Sequence, residues 1–192
     1  MGRCGSSLIS TLLASVTARI EIFASSYETL RGSDASLIKT HTHLKRALPY
    51  EYKAVYMYGA VTPIIRSLYK LWRDKKYGFV KEHLENLEVK KFDRFVFNIL
   101  YPLNQASAFF YLISGDKFRF KENMASWKSS KSTIFIKYED LISSNKEVMM
   151  KISDFLGVQL PELKINDRFS RNTSLPRLLE KEIEKVYGEL AK

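Results

Sequence analysis

Residues 53–58 read Lys-Ala-Val-Tyr-Met-Tyr and residues 133–137 read Thr-Ile-Phe-Ile-Lys. Both runs are short and dominated by β-branched and aromatic side chains, so both predict buried strands. Residues 36–40 predict a third. The long stretches around them carry apolar residues at helical spacing instead. Short strands alternating with longer helices bury their apolar faces by forming a parallel sheet with helices packed against it. The expected fold class is therefore α/β and helix-rich, with a short parallel β-sheet flanked by helices. No repeat or low-complexity tract divides the 192 residues, so a single domain over residues 1–192 is expected.

The helical segments follow from periodicity. Ile9, Leu12, Leu13, Val16, Ile20 and Phe23 predict one helix starting near Ser7 and running through Phe23. Residues 33–36 read as a loop. Thr62-Pro63 predicts a helix start with proline at the first helical position, followed by an apolar face of Ile64, Ile65, Leu68, Leu71 and Trp72. Residues 75–128 are helical by pattern and rich in Phe and Tyr. Aromatic residues over 92–120 suit either an acceptor pocket or a packed core, and core is the commoner role at helical spacing. Ser144 with Glu147 predicts a capping box for a helix whose core face is Val148, Ile152, Phe155 and Leu156, ended by Gly157. A last helix is expected after Ser174-Leu175-Pro176, to about residue 190.

Composition narrows the function classes. A hydrophobic content of 45% with 13% aromatics is that of a folded chain. One cysteine, Cys4, forms no internal disulfide and builds no thiolate zinc cluster, which suits a reducing, cytoplasmic setting. No uninterrupted apolar run is long enough for a transmembrane helix, and the first residues lack a secretory pattern. The formal charge of +10 points to anionic partners. Nucleic acid is not the expected one, because lysines such as Lys45, Lys75, Lys90, Lys117 and Lys131 are scattered rather than interleaved with aromatics.

Five segments carry chemistry. Gly2-Arg3-Cys4-Gly5-Ser6-Ser7 precedes a helix, and its glycines, hydroxyls, forked cation and following helix dipole suit an oxyanion. It lacks the spacing of a Walker A loop. The same residues satisfy the short N-myristoylation pattern, which chance often produces. Lys39-Thr40-His41-Thr42-His43 places a potential general base beside a lysine. His41 and His43 are spaced to share a metal, but no third ligand stands near them, and no metal is expected. Residues 53–69 contain Gly59, Thr62, Arg66 and Ser67; residues 137–141 read Lys-Tyr-Glu-Asp-Leu; residues 168–174 form a basic, hydroxyl-rich loop containing Arg171. Each alone has a structural explanation. Their order carries more.

In that order the motifs resemble the sulfotransferase family that uses 3′-phosphoadenosine 5′-phosphosulfate (PAPS). Residues 2–8 look like its 5′-phosphosulfate loop, and Lys39-Thr40-His41 matches the Lys-Thr-His motif whose histidine is the catalytic base. Residues 53–69 look like the strand, turn and helix of its 3′-phosphate site, with Ser67 on the family's serine. Residues 135–141, followed by Phe155-Leu156-Gly157-Val158, are similar to its Tyr-Glu-Asp-Leu and Phe-Leu-Gly segments. The resemblance implies a P-loop NTPase-like fold and transfer of a sulfuryl group from PAPS to a hydroxyl or amine on a small-molecule or carbohydrate acceptor, leaving 3′-phosphoadenosine 5′-phosphate. It implies His41 as base, Lys39 and Arg3 steadying charge, Arg3, Cys4, Gly5, Ser6 and Ser7 around the 5′-phosphosulfate, Ser67 at the 3′-phosphate, and Tyr138 against the adenine.

The sequence departs from the family in three places. Gly59 stands where an arginine usually grips the 3′-phosphate, so Arg66 or Arg171 is the expected substitute. The first motif stands at the start of the sequence, so either the start has been trimmed or the sheet is built without the strand that usually precedes the motif. The basic loop at Arg171-Asn172 lacks the Arg-Lys-Gly triplet. These departures frame an alternative function: a degenerate member that binds an anionic nucleotide or another partner without turnover.

Overall fold

The computed structural model describes residues 6–17, 21–24, 27–32, 37–46, 48–163 and 174–191. They divide into two compact units, residues 1–59 with 125–170 and residues 60–124 with 171–192.

In the first unit, α1 (Ser6–Thr17) is followed by β1 (Glu21–Ala24), α2 (Tyr27–Arg31) and β2 (Leu37–Thr40). β1 and β2 pair in parallel, with Phe23 opposite Lys39 and Ala24 opposite Thr40. The same unit holds β3 (Ala54–Tyr58) and β4 (Thr133–Lys137), a second parallel pair in which Ala54 faces Thr133 and Tyr58 faces Lys137. α8 (Tyr138–Ser143) and α9 (Asn145–Leu156) follow β4 directly. The three predicted strands are therefore present, parallel as expected, and the helix-rich α/β class with short parallel strands is borne out.

One apolar cluster draws on β2, β3 and β4. Leu30, Leu44 and Trp127 are buried at its centre, and Ile38 from β2, Ala54 and Tyr56 from β3 and Phe135 from β4 pack against it. Tyr52 meets the Trp127 ring edge-on, with centroids 6.5 Å apart.

The second unit is helical: α3 (Val61–Arg73), α4 (Tyr77–Asn86), α5 (Lys91–Leu103), α6 (Gln105–Ile113), the start of α7 (Phe120–Lys128) and α10 (Arg177–Tyr187). Its core is aromatic. Phe97 and Tyr69 each meet Phe109 edge-on, Phe118 stacks on Phe120 at 5.3 Å, and Phe120 leans on Tyr187. The aromatic run over 92–120 therefore supplies core at Phe97, Phe109, Phe118 and Phe120, whereas Phe92 and Phe95 stay exposed. Asp93 is buried on the inner side of α5, where it accepts a hydrogen bond from the Tyr111 hydroxyl at 2.7 Å. A buried carboxylate is tolerated there because it is hydrogen-bonded.

Three local expectations need correction. The first helix ends at Thr17, and Phe23 lies in β1 instead. The helix expected to start with Pro63 at its first position starts two residues earlier, at Val61, so Pro63 is the third helical position; it is still in the first turn, where no N–H is needed. Ser144 stands at the N-cap of α9, but its side chain makes no capping bond, so the capping box with Glu147 does not form. Asn145 is tied instead to the backbone of Leu163, whose carbonyl its Nδ2 meets and whose N–H its Oδ1 accepts at 3.3 Å. Gly157 ends α9 as expected, at φ 73°, a left-handed conformation that suits glycine. The predicted loop at 33–36 lies outside the described residues.

Candidate functional site

α1 packs against both β1 and β2. β2 ends at Thr40, and His41 is the first residue beyond it, at the carboxyl edge of the strands. In parallel sheets this edge is where ligands bind.

The segment after β2 is held down residue by residue. The Thr42 N–H donates to Thr40 Oγ1 at 3.1 Å, and the Thr42 carbonyl accepts from the Trp127 indole Nε1 at 3.0 Å. The Leu44 N–H donates to Ser126 Oγ at 3.0 Å. Thr42, His43 and Leu44 are buried, whereas His41 is half-buried. His41 thus sits between a strand end and a buried anchor. The two histidines therefore differ in kind: His43 at 3% exposure is part of the core, and His41 is the one a ligand can reach. Among the described residues no group of three or more His, Cys, Asp or Glu stands close enough to hold a metal ion.

Tyr138 follows the other parallel pair in the same way, as the first residue past β4 and the first of α8; it is half-buried. In the second unit, Arg66 and Ser67 are neighbours in the middle of α3, both half-buried. Arg66 Nη2 lies 3.7 Å from Glu180 Oε1 of α10, while its Nε–H is buried without a hydrogen-bond partner among the described residues.

The sulfotransferase domain model matches residues 6–186 of this sequence. The chain belongs to the sulfotransferase domain family. No curated protein and no solved structure gives a significant match. Membership of the family supports a transferase. No helix among the described residues is long and apolar enough to cross a membrane.

Within this sulfotransferase domain the sequence-derived residues fall unevenly. His41 and Tyr138 each lie at the carboxyl end of a parallel strand, and Lys39 lies within β2. Ser6 and Ser7 open α1. Arg3, Cys4, Gly5 and Arg171 lie outside the described residues, and the first three also precede the matched span. The fold adds residues that the motifs did not flag: Trp127 and Ser126 anchor the histidine segment across more than eighty positions of sequence, and Glu180 holds the guanidinium of Arg66. No local pattern announces such pairs, because their partners meet only once the chain has folded.

Proposed function

We propose that this domain transfers a sulfuryl group from PAPS to a hydroxyl or amine of a small-molecule or carbohydrate acceptor. The observation that carries the reading is His41 at the carboxyl edge of a parallel strand, backed by the buried Trp127–Thr42 hydrogen bond, in a chain of the sulfotransferase domain family. The donor, when bound, supplies a sulfuryl group activated by its anhydride to phosphate. The protein's task is then to position reactants and to stabilise spread negative charge.

In this reading His41 takes the acceptor's proton at an imidazole nitrogen. Lys39 and Arg3 steady charge on the transferring group. The backbone N–H groups of Cys4 and Gly5 and the hydroxyls of Ser6 and Ser7 hold the 5′-phosphosulfate at the amino end of α1. Ser67 and Arg66 take the 3′-phosphate, Arg171 adds a second cation, and Tyr138 flanks the adenine. The residues on α3 fit a phosphate on one direct count: the buried Arg66 Nε–H has a donor to give and no acceptor among the described residues.

Calorimetric titration with 3′-phosphoadenosine 5′-phosphate tests the donor assignment. Saturable binding is expected, weakened at least about tenfold for adenosine 5′-phosphate, which lacks the group that Ser67 and Arg66 receive. Equal affinity for the two nucleotides would remove the 3′-phosphate from the account.

A further inference from the structure

α5 is apolar on two sides. Its inner side buries Phe97 and carries the hydrogen-bonded Asp93. On the other side, Phe92, Phe95, Ile99 and Leu103 are 70%, 60%, 49% and 77% exposed. At 100° per residue these four fall within an arc of about 80° along the whole helix, turned away from Phe97. A helix apolar all round is one that expects cover on both sides. Four large side chains in one stripe exceed the scattered exposure normal for a surface.

The polar residues around the stripe say what covers it. The other exposed positions on α5 are Lys91, Asn98 and Pro102, so the exposed arc holds a cation and no anion. Exposed Lys90 adjoins the Phe92 end. Near the other end, exposed Lys75 and Lys76 lead into α4, whose Tyr77 meets Tyr101 of α5 edge-on at 5.0 Å. The carboxylates close by are engaged elsewhere: Glu85 with Arg94 at 2.7 Å, Glu88 with Arg119 at 3.9 Å and Asp93 with Tyr111. Asp74, beside Lys75 and Lys76, and Glu82, on α4, are the exposed exceptions, and the four lysines outnumber them. Bulky apolar side chains along one arc with lysines at both ends form the pattern of a helix that lies in a lipid interface, its stems snorkelling to anionic headgroups. A second copy fits less well, since two cationic arcs of a chain with net charge +10 would face each other.

We propose that the exposed arc of α5 is a lipid-facing surface, with Phe92, Phe95, Ile99 and Leu103 entering the boundary between headgroups and acyl chains of an anionic membrane while Lys90 and Lys91 engage its headgroups. This attachment is peripheral and independent of sulfuryl transfer. The cytoplasmic leaflet, which carries the anionic lipids of most cells, is the matching surface.

The test is co-sedimentation of the full chain with vesicles of phosphatidylcholine containing roughly one-third phosphatidylserine, beside vesicles of phosphatidylcholine alone. Binding to the mixed vesicles and at least about tenfold less to the neutral ones is expected. Phe92→Ser with Phe95→Ser, and separately Leu103→Ser, should each reduce binding several-fold without changing the far-ultraviolet circular dichroism or the melting temperature. Lys90→Glu with Lys91→Glu should abolish the preference for phosphatidylserine. Failure of the wild-type chain to sediment with either vesicle would overturn the proposal, as would undiminished binding by the apolar variants. A dimer in light scattering that Phe92→Ser with Phe95→Ser dissociates would overturn it in favour of a second copy.

Discussion

The indole N–H of Trp127 donates to the backbone carbonyl of Thr42 at 3.0 Å, in a buried position one residue past His41. The bond couples the end of α7 to the strand end where the candidate base stands. Trp127→Phe keeps most of the ring and deletes the donor, leaving a buried carbonyl unsatisfied, at a cost of about 1–3 kcal/mol. Urea denaturation should show that loss, and turnover should fall with little change in nucleotide affinity. Unchanged stability would mean that the bond does not anchor the segment.

Arg66 has one partially exposed partner, Glu180, at 3.7 Å. An exposed pair at that distance contributes little, under about 1 kcal/mol, so Glu180→Gln should leave the fold intact. Because it frees the guanidinium, affinity for 3′-phosphoadenosine 5′-phosphate should stay level or rise. Arg66→Ala should weaken that affinity about tenfold or more by calorimetry. Wild-type affinity in Arg66→Ala would assign the 3′-phosphate to other groups.

Alkaline stability depends on a cluster in the second unit. The hydrogen bond to Asp93, with burial and the carboxylate's charge behind it, pushes the Tyr111 hydroxyl from 10.0 up to about 12. The folded chain therefore keeps a proton that the unfolded chain releases near pH 10. The stabilisation is complete below that pH and is lost as pH rises toward 12. Burial raises Tyr187 and Tyr101 as well, so they share in this loss. Tyr111→Phe should lower stability at pH 8 and flatten its decline between pH 10 and 12 in denaturation curves. A slope identical to wild type would exclude Tyr111 from the transition.

Gly157 closes α9 at φ 73°, and an added Cβ there would meet nothing within 4 Å. Gly157→Ala therefore carries only the backbone cost of the left-handed conformation, about 1–2 kcal/mol. Gly157→Asn should cost less, because asparagine tolerates that region. Thermal melts of the two variants should rank in that order, and an unaffected Gly157→Ala would contradict the cap.

The strands at 54–58 and 133–137 were legible because β-branched and aromatic residues crowd into runs too short for a helix. β1 was not. Ile20 and Phe23 continue the helical spacing of Ile9, Leu12, Leu13 and Val16, and no Gly or Pro marks the break after Thr17. Ser144 and Glu147 have the spacing of a capping box, yet the Asn145–Leu163 contact takes its place, a tertiary preference invisible to a local rule. His41 and Tyr138 were legible through motifs that follow strands. Their supports were not, since the Trp127–Thr42 and Arg66–Glu180 pairs join positions far apart in sequence.

Label transfer from radioactive PAPS to a panel of phenol, carbohydrate and lipid acceptors, run with wild type and His41→Ala, tests the account most directly. Wild type should label at least one acceptor. His41→Ala should lose transfer about 100-fold or more while binding 3′-phosphoadenosine 5′-phosphate as wild type does. Equal transfer by the two proteins would contradict the role of His41, and a wild type that bound no nucleotide would contradict the whole reading.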